Sequence, residues 1–163
     1  MAELGLGIVK GEFMKRFTVL LVMVFALFGV VYSSDYQKVF ENLVWMIHSD
    51  SDSTTLEYLE PFENDYGELV YQAGLVYNTG IEDTKDNITR LLRGYENRYV
   101  DFSIIGGWTT GTFNLGEYGE FTGERRLFGI DLSEEGRLVS MVFLIENPEG
   151  NRTMAIVRGF VDR

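Results

Sequence analysis

From Tyr99 to the end of the chain, apolar and polar residues alternate with a period of two, and this alternation constrains the fold more than any other feature. Successive side chains of a strand point to opposite faces, so the pattern describes strands with one face buried. The stretches lie at about 98–105, 108–115, 120–131, 137–146 and 152–161. The breaks are short: Gly106-Gly107, Gly116 to Gly119, Glu134-Glu135-Gly136 and Asn147 to Gly150. A parallel pair needs a crossover of roughly a dozen residues or more, so breaks this short predict an antiparallel meander. Gly111, Gly123, Gly129 and Gly159 fall inside the stretches, where glycine predicts bulges or strong curvature.

Upstream of Tyr99 the spacing is mostly helical. Ser34-Asp35-Tyr36-Gln37 has the form of a capping box, a cap serine with a glutamine three residues on. Behind it, Tyr36, Val39, Phe40, Leu43, Val44 and Ile47 predict a helix over about 35–48. Ser49 to Ser53 is a polar break. Thr54-Thr55-Leu56-Glu57 has the form of a second box, and Leu56, Leu59 and Phe62 predict a short helix that Pro61 limits. Leu69, Tyr71, Ala73, Leu75 and Tyr77 alternate in a segment rich in valine and tyrosine, which predicts a strand over 69–78 ending at the Asn78-Thr79-Gly80 turn. Asp83-Thr84 opens a further helix with Ile88, Leu91, Leu92 and Tyr95 on one face. Asp83 and Asp86 near its start and Arg90 and Arg93 near its end suit the helix dipole. The fold class is α+β: N-terminal helices packed against a curved C-terminal antiparallel β-meander, behind an N-terminal signal segment.

The signal segment is read from Met14-Lys15-Arg16 followed by Phe17 to Tyr32, sixteen residues without a charge, and then Ser33, Ser34 and Asp35. A basic start, an apolar run and small residues at the exit form the secretory pattern, with cleavage between Ser33 and Ser34. The run falls just short of the ~17 residues that a spanning helix needs at least, so a retained anchor through residues 17–32 is the competing reading. The basic cluster directly follows Met14, which marks Met14 as the start and residues 1–13 as an unpacked, mis-assigned leader. The organisation is then 1–13 leader, 14–33 signal and 34–163 one exported domain.

The formal charge is −11. Residues 1–33 hold two carboxylates and three cations, so the remaining domain carries about −12. Such a surface repels phosphate backbones and anionic headgroups, which disfavours nucleic acid as a partner. With no cysteine, disulfides, thiolate nucleophiles, zinc–thiolate sites, iron–sulfur clusters and a lipoprotein anchor are excluded. No cofactor motif is present. Asn87-Ile88-Thr89 and Asn151-Arg152-Thr153 match the glycosylation sequon, which the bacterial look of the leader reduces to chance.

The order helix, helix, strand, helix and then a curved antiparallel meander, from Asp35 to Val161, resembles the nuclear transport factor 2-like superfamily, which includes ketosteroid isomerase-like proteins. The resemblance lies in element order and rests on no motif. It implies a bent sheet wrapped around helices as a cone with an interior cavity, frequent dimers, and functions ranging from isomerases to non-catalytic ligand binders.

Few side chains carry chemistry. His48, the only histidine, precedes Asp50 and Asp52. As a calcium loop this segment fails, because Thr55 stands where glycine is needed and Pro61 where glutamate is needed. A solvated loop after a helix end is the plainer reading, and no metal site is expected. No G-x-S-x-G elbow accompanies the histidine, which argues against a serine triad. Asp101, in the first stretch of the meander, would be a general base if it faced a cavity, with Tyr71, Tyr77 or Tyr99 stabilising an oxyanion. Facing outward, it is a solvated strand residue. Arg125 and Arg126 are adjacent and face opposite ways, so one of them approaches the inner surface and would bind an acidic ligand or a structural carboxylate. Trp108, after Gly106-Gly107, marks either a binding surface or core, and Trp45 is expected in the core.

The leading expectation is an exported, periplasmic or secreted, non-catalytic domain that binds a small molecule or an envelope protein, with Arg125 and Trp108 as candidate ligand contacts and a homodimer possible. The alternatives are a small isomerase-type enzyme using Asp101 and Tyr99, and an envelope protein anchored outward by an uncleaved segment.

Overall fold

The computed structural model describes residues 35–114, 119–132, 135–147 and 149–162. The signal pattern, the Ser33–Ser34 junction and the leader lie outside the described residues. Those described form an α+β fold of two helices and a six-stranded antiparallel sheet. In chain order they are a helix over residues 35–50 (α1), β1 Ser53–Glu63, β2 Leu69–Tyr77, α2 Ile81–Arg98, β3 Phe102–Asn114, β4 Glu120–Asp131, β5 Arg137–Glu146 and β6 Thr153–Asp162. The strand order is β1-β2-β6-β5-β4-β3. Strands β3 to β6 form the expected meander, while β2 pairs with β6, so α2 carries the chain from the second strand position to the far edge.

The register sorts side chains onto two faces. Tyr71, Ala73, Leu75 and Tyr77 of β2 stand opposite Gly159, Val157, Ala155 and Thr153 of β6, and the row continues through Ser140, Val142 and Leu144 of β5 to Phe128 and Arg126 of β4. Both helices pack on this inner face. Phe40 of α1 stacks on Tyr71 at 5.7 Å, and Tyr95 of α2 meets the edge of Phe102, which stacks on Phe128. Phe40, Leu43, Val44 and Ile47 are buried, as are Ile88 and Leu92. Removing each such side chain from water contributes about 1.5–3 kcal/mol, which is why the helical spacing was readable. Lys85 bridges Glu82 at 3.0 Å and Glu124 at 3.4 Å, tying α2 to β4.

Four expectations need correction. Thr54 to Phe62 is not a short helix but the edge strand β1. A register shift between Leu59 and Phe62 accommodates Pro61, which lacks the N–H of an interior strand. That shift also explains the misleading spacing: Leu59 pairs with Gln72 and Phe62 with Val70, so two residues three apart share the outer face. Second, 98–105 and 108–115 are not separate strands. Helix α2 runs to Arg98, Tyr99 to Asp101 turn the chain, and β3 passes through Gly106-Gly107 as an irregularity between Ile105 and Thr109. Third, of the bulges or curvature expected at Gly111, Gly123, Gly129 and Gly159, the bulges are absent, since none of the four lies at a register shift. At Gly159 the reason is close approach, since a Cβ there would lie 2.6 Å from the Phe40 ring. Fourth, Trp45 is 59% exposed and is not a core residue.

Candidate functional site

A cavity of 190 Å³ opens between α1, the end of α2 and the start of the meander. Its apolar wall is Val39, Leu43 and Met46 from α1, Phe102 from β3 and Ile130 from β4. Asn42, Tyr95, Tyr99 and Asp101 supply the polar atoms. The α1 residues form one stripe at positions i, i+3, i+4 and i+7, beside the stripe of Phe40, Val44 and Ile47 that enters the core. The helical spacing marks Val39 and Leu43 as core and does not mark Asn42 and Met46. The signal was there, in a helix whose apolar face is wider than one packing stripe requires.

Asp101 and Tyr99, the two candidate catalytic residues, meet at this cavity. Neither sits in a strand. The Tyr99 N–H donates to the Tyr95 carbonyl over 2.8 Å and closes α2, and the Asp101 carbonyl accepts from the Asp131 N–H at 2.7 Å. These bonds fix the turn at the mouth. Asp101 is an exposed residue and Tyr99 is 41% exposed, so both border the opening instead of lying enclosed in it. Tyr71 and Tyr77 are buried in the inner face. The Tyr77 hydroxyl shares a hydrogen bond with Ser51 at 3.2 Å, and burial pushes its pKa up to about 12. Tyr95 donates to Asp50 Oδ2 at 2.9 Å, and burial, then that bond, hold its pKa above the usual phenol range.

Arg125 and Trp108 are not brought together. Arg125 faces the outer side of the sheet, with its guanidinium carbon 5.0 Å from the centre of the Phe113 ring. Arg126 is the inward one, 8% exposed. It stands over Trp108 at 5.8 Å and donates to Thr89 and to the Gly106 carbonyl, while the Trp108 indole N–H donates to Thr89 Oγ1 at 2.8 Å. Burial, then the nearby Arg93 charge, lowers the pKa of Arg126. Trp108 therefore joins β3 to α2 and packs under Arg126.

His48 shares a hydrogen bond with Ser53 Oγ through Nδ1 at 2.6 Å, and Asp50 is engaged by Tyr95. Among the described residues no three His, Asp or Glu side chains gather as a metal-holding group, and no helix is long and apolar enough to cross a membrane.

The cavity can accept an apolar body and offer hydrogen bonds at its rim. No lysine or arginine lines it, and Asp101 repels anions. No family model matches the chain, and no curated protein matches it.

Proposed function

We propose that the chain is an exported, non-catalytic binding domain of the nuclear transport factor 2-like type, holding a small neutral or cationic ligand between α1 and the start of the meander. The observation that carries this reading is the 190 Å³ cavity, with an apolar wall and a polar rim of Asn42, Tyr99 and Asp101. An apolar cavity of about 150 Å³ is enough to hold benzene, whereas drug-sized ligands need roughly 300 Å³ or more. A single ring with a hydroxyl or amine head suits the space. The passage of α2 across the sheet and the irregularities in β1 and β3, which bend strands, support the cone. Export rests on the pattern of residues 14–33.

Calorimetric titration with phenol and with benzoate tests the reading. Phenol is expected to bind at about 0.1–1 mM, consistent with the ceiling on affinity per atom for small ligands. Benzoate is expected to bind at least tenfold more weakly, because Asp101 faces its carboxylate. Met46→Trp, which fills the cavity, should abolish the phenol heat while leaving the thermal transition in place. Equal phenol binding by the wild type and Met46→Trp would overturn the reading. For export, N-terminal sequencing of the protein from its native cell should begin at Ser34, and a start at Met14 would favour the anchor.

The meeting of Asp101 and Tyr99 at one mouth favours a second reading, an isomerase-type enzyme. Asp101 would take an α-proton from a small ketone and Tyr99 would hydrogen-bond the developing oxyanion. It expects deuterium exchange into a β,γ-unsaturated ketone that is lost in Asp101→Asn, and no exchange above buffer removes it.

A further inference from the structure

The outer face of the sheet, opposite both helices, carries a continuous line of aromatic and arginine side chains. Arg158 of β6 lies with its guanidinium carbon 5.7 Å from the Phe62 ring of β1 and 5.9 Å from the Phe143 ring of β5. Phe143 meets Phe113 of β3 edge-on at 5.4 Å, and Phe113 lies under Arg125 of β4 at 5.0 Å. The line runs from one edge of the sheet to the other. Phe143 and Ile156 are buried at its centre, 5% and 1% exposed, and Phe113, Phe121, Met141, Ile145 and Met154 pack against them, partly buried. The helix contacts through Tyr71, Phe102 and Arg126 fall on the other face.

Among the described residues the two cations lack partners of opposite charge. Arg158 donates to the neutral Gln72 amide oxygen, and Arg125 has a buried Nε with no acceptor. Neither forms an ion pair among the described residues, although the chain carries −11 overall. A guanidinium held on an apolar surface without a carboxylate is costly, and an incoming carboxylate relieves that cost. Burial lowers the pKa of Arg158, in keeping with this lack of compensation.

We infer that this face docks an acidic amphipathic polypeptide segment, whose apolar side chains cover the exposed Phe62 and the partly buried Phe113 on either side of the buried Phe143, and whose carboxylates meet Arg125 and Arg158. Six strands at about 4.8 Å spacing span roughly 25 Å, too wide for a small molecule. The two arginines stand two strands apart, about 10 Å, which matches carboxylates spaced along a peptide. A second copy laid face to face would set arginines against arginines. This inference is independent of the cavity.

The test uses the full chain and two synthetic helical peptides of roughly 18 residues, long enough to span about 25 Å, one of leucine, phenylalanine and glutamate and the other with lysine replacing glutamate. Fluorescence anisotropy should show the glutamate peptide binding at least tenfold tighter than the lysine peptide. The Arg125→Met/Arg158→Met variant should lose at least tenfold in affinity for the glutamate peptide alone. Phe62→Ser, at an exposed position on the edge strand, should weaken both peptides and serves if the double variant does not fold. Sedimentation should show a monomer without peptide and a one-to-one complex with it. Equal binding of the two peptides, full affinity in the arginine variant or in Phe62→Ser, or a homodimer protected at Phe62 and Phe113 would each overturn the inference. Peptide binding does not depend on Met46, so Met46→Trp separates its failure from failure of the cavity.

Discussion

Tyr95 donates its phenolic proton to the Asp50 carboxylate over 2.9 Å, joining α2 to the last turn of α1. The two helices that wall the cavity are thus tied at one point, and Tyr95 itself lines the space. A hydrogen bond to a charged acceptor contributes more than a neutral one.

Tyr95→Phe keeps the ring against Phe102 and removes only that bond. We expect a loss of about 1–2 kcal/mol in urea denaturation, less than a fully buried charged bond because Asp50 is exposed and regains water. The same variant should weaken phenol binding, since α1 is no longer held against α2. Unchanged stability and unchanged affinity together would show that the link does not position the cavity.

The buried Tyr77 predicts how stability changes at high pH. Its folded pKa is raised from the ordinary 10.0 to about 12, by burial first and against the opposing effect of its bond to Ser51. The folded state therefore holds this proton more tightly than the unfolded state. The contribution is whole below pH 10 and is lost as pH rises towards 12, on the order of 3 kcal/mol in all. Denaturation midpoints measured from about pH 9 to about pH 12 should fall steeply for the wild type, and less steeply for Tyr77→Phe. Tyr95, raised for the same leading reason, adds to the slope. A Tyr77→Phe curve parallel to the wild type would refute this assignment.

Gly159 and Gly107 make a matched pair. Alanine at 159 drives a methyl to within 2.6 Å of the Phe40 ring, whereas a Cβ at 107 meets nothing within 4 Å. We expect Gly159→Ala to cost about 1–3 kcal/mol through overpacking. Gly107→Ala should stay within about 0.5 kcal/mol. Chemical denaturation of the two variants checks the contrast, and comparable losses would mean that Phe40 does not approach as closely as described.

These contrasts show where the sequence was legible. The boundaries of β2, β4, β5 and β6 fall within a residue of the expected ones, although β5 is buried on both faces and does not alternate. Apolar runs bounded by turn residues locate these strands even where both faces are buried, as in β5. Periodicity failed at β1, an edge strand whose irregularity at Pro61 imitates helical spacing, and at Gly106-Gly107, where a break in the ladder imitates a turn. At the site, Asp101 and Tyr99 were visible as residue types, but their meeting depends on where α2 stops. Asn42 and Met46 carry no chemical mark at all. They belong to the cavity only because α1 presents a second stripe beside its core stripe. The inward choice of Arg126 over Arg125 could not be made from adjacency, since one residue of register exchanges the two faces.

Methyl-resolved NMR during a phenol titration puts the binding site to the most direct test. The methyls of Val39, Leu43, Met46 and Ile130 should shift together along one saturation curve, while Ile145 and Met154 on the outer face stay still. Static cavity methyls at saturating phenol, or shifts confined to Ile145 and Met154, would contradict a ligand site between α1 and the meander.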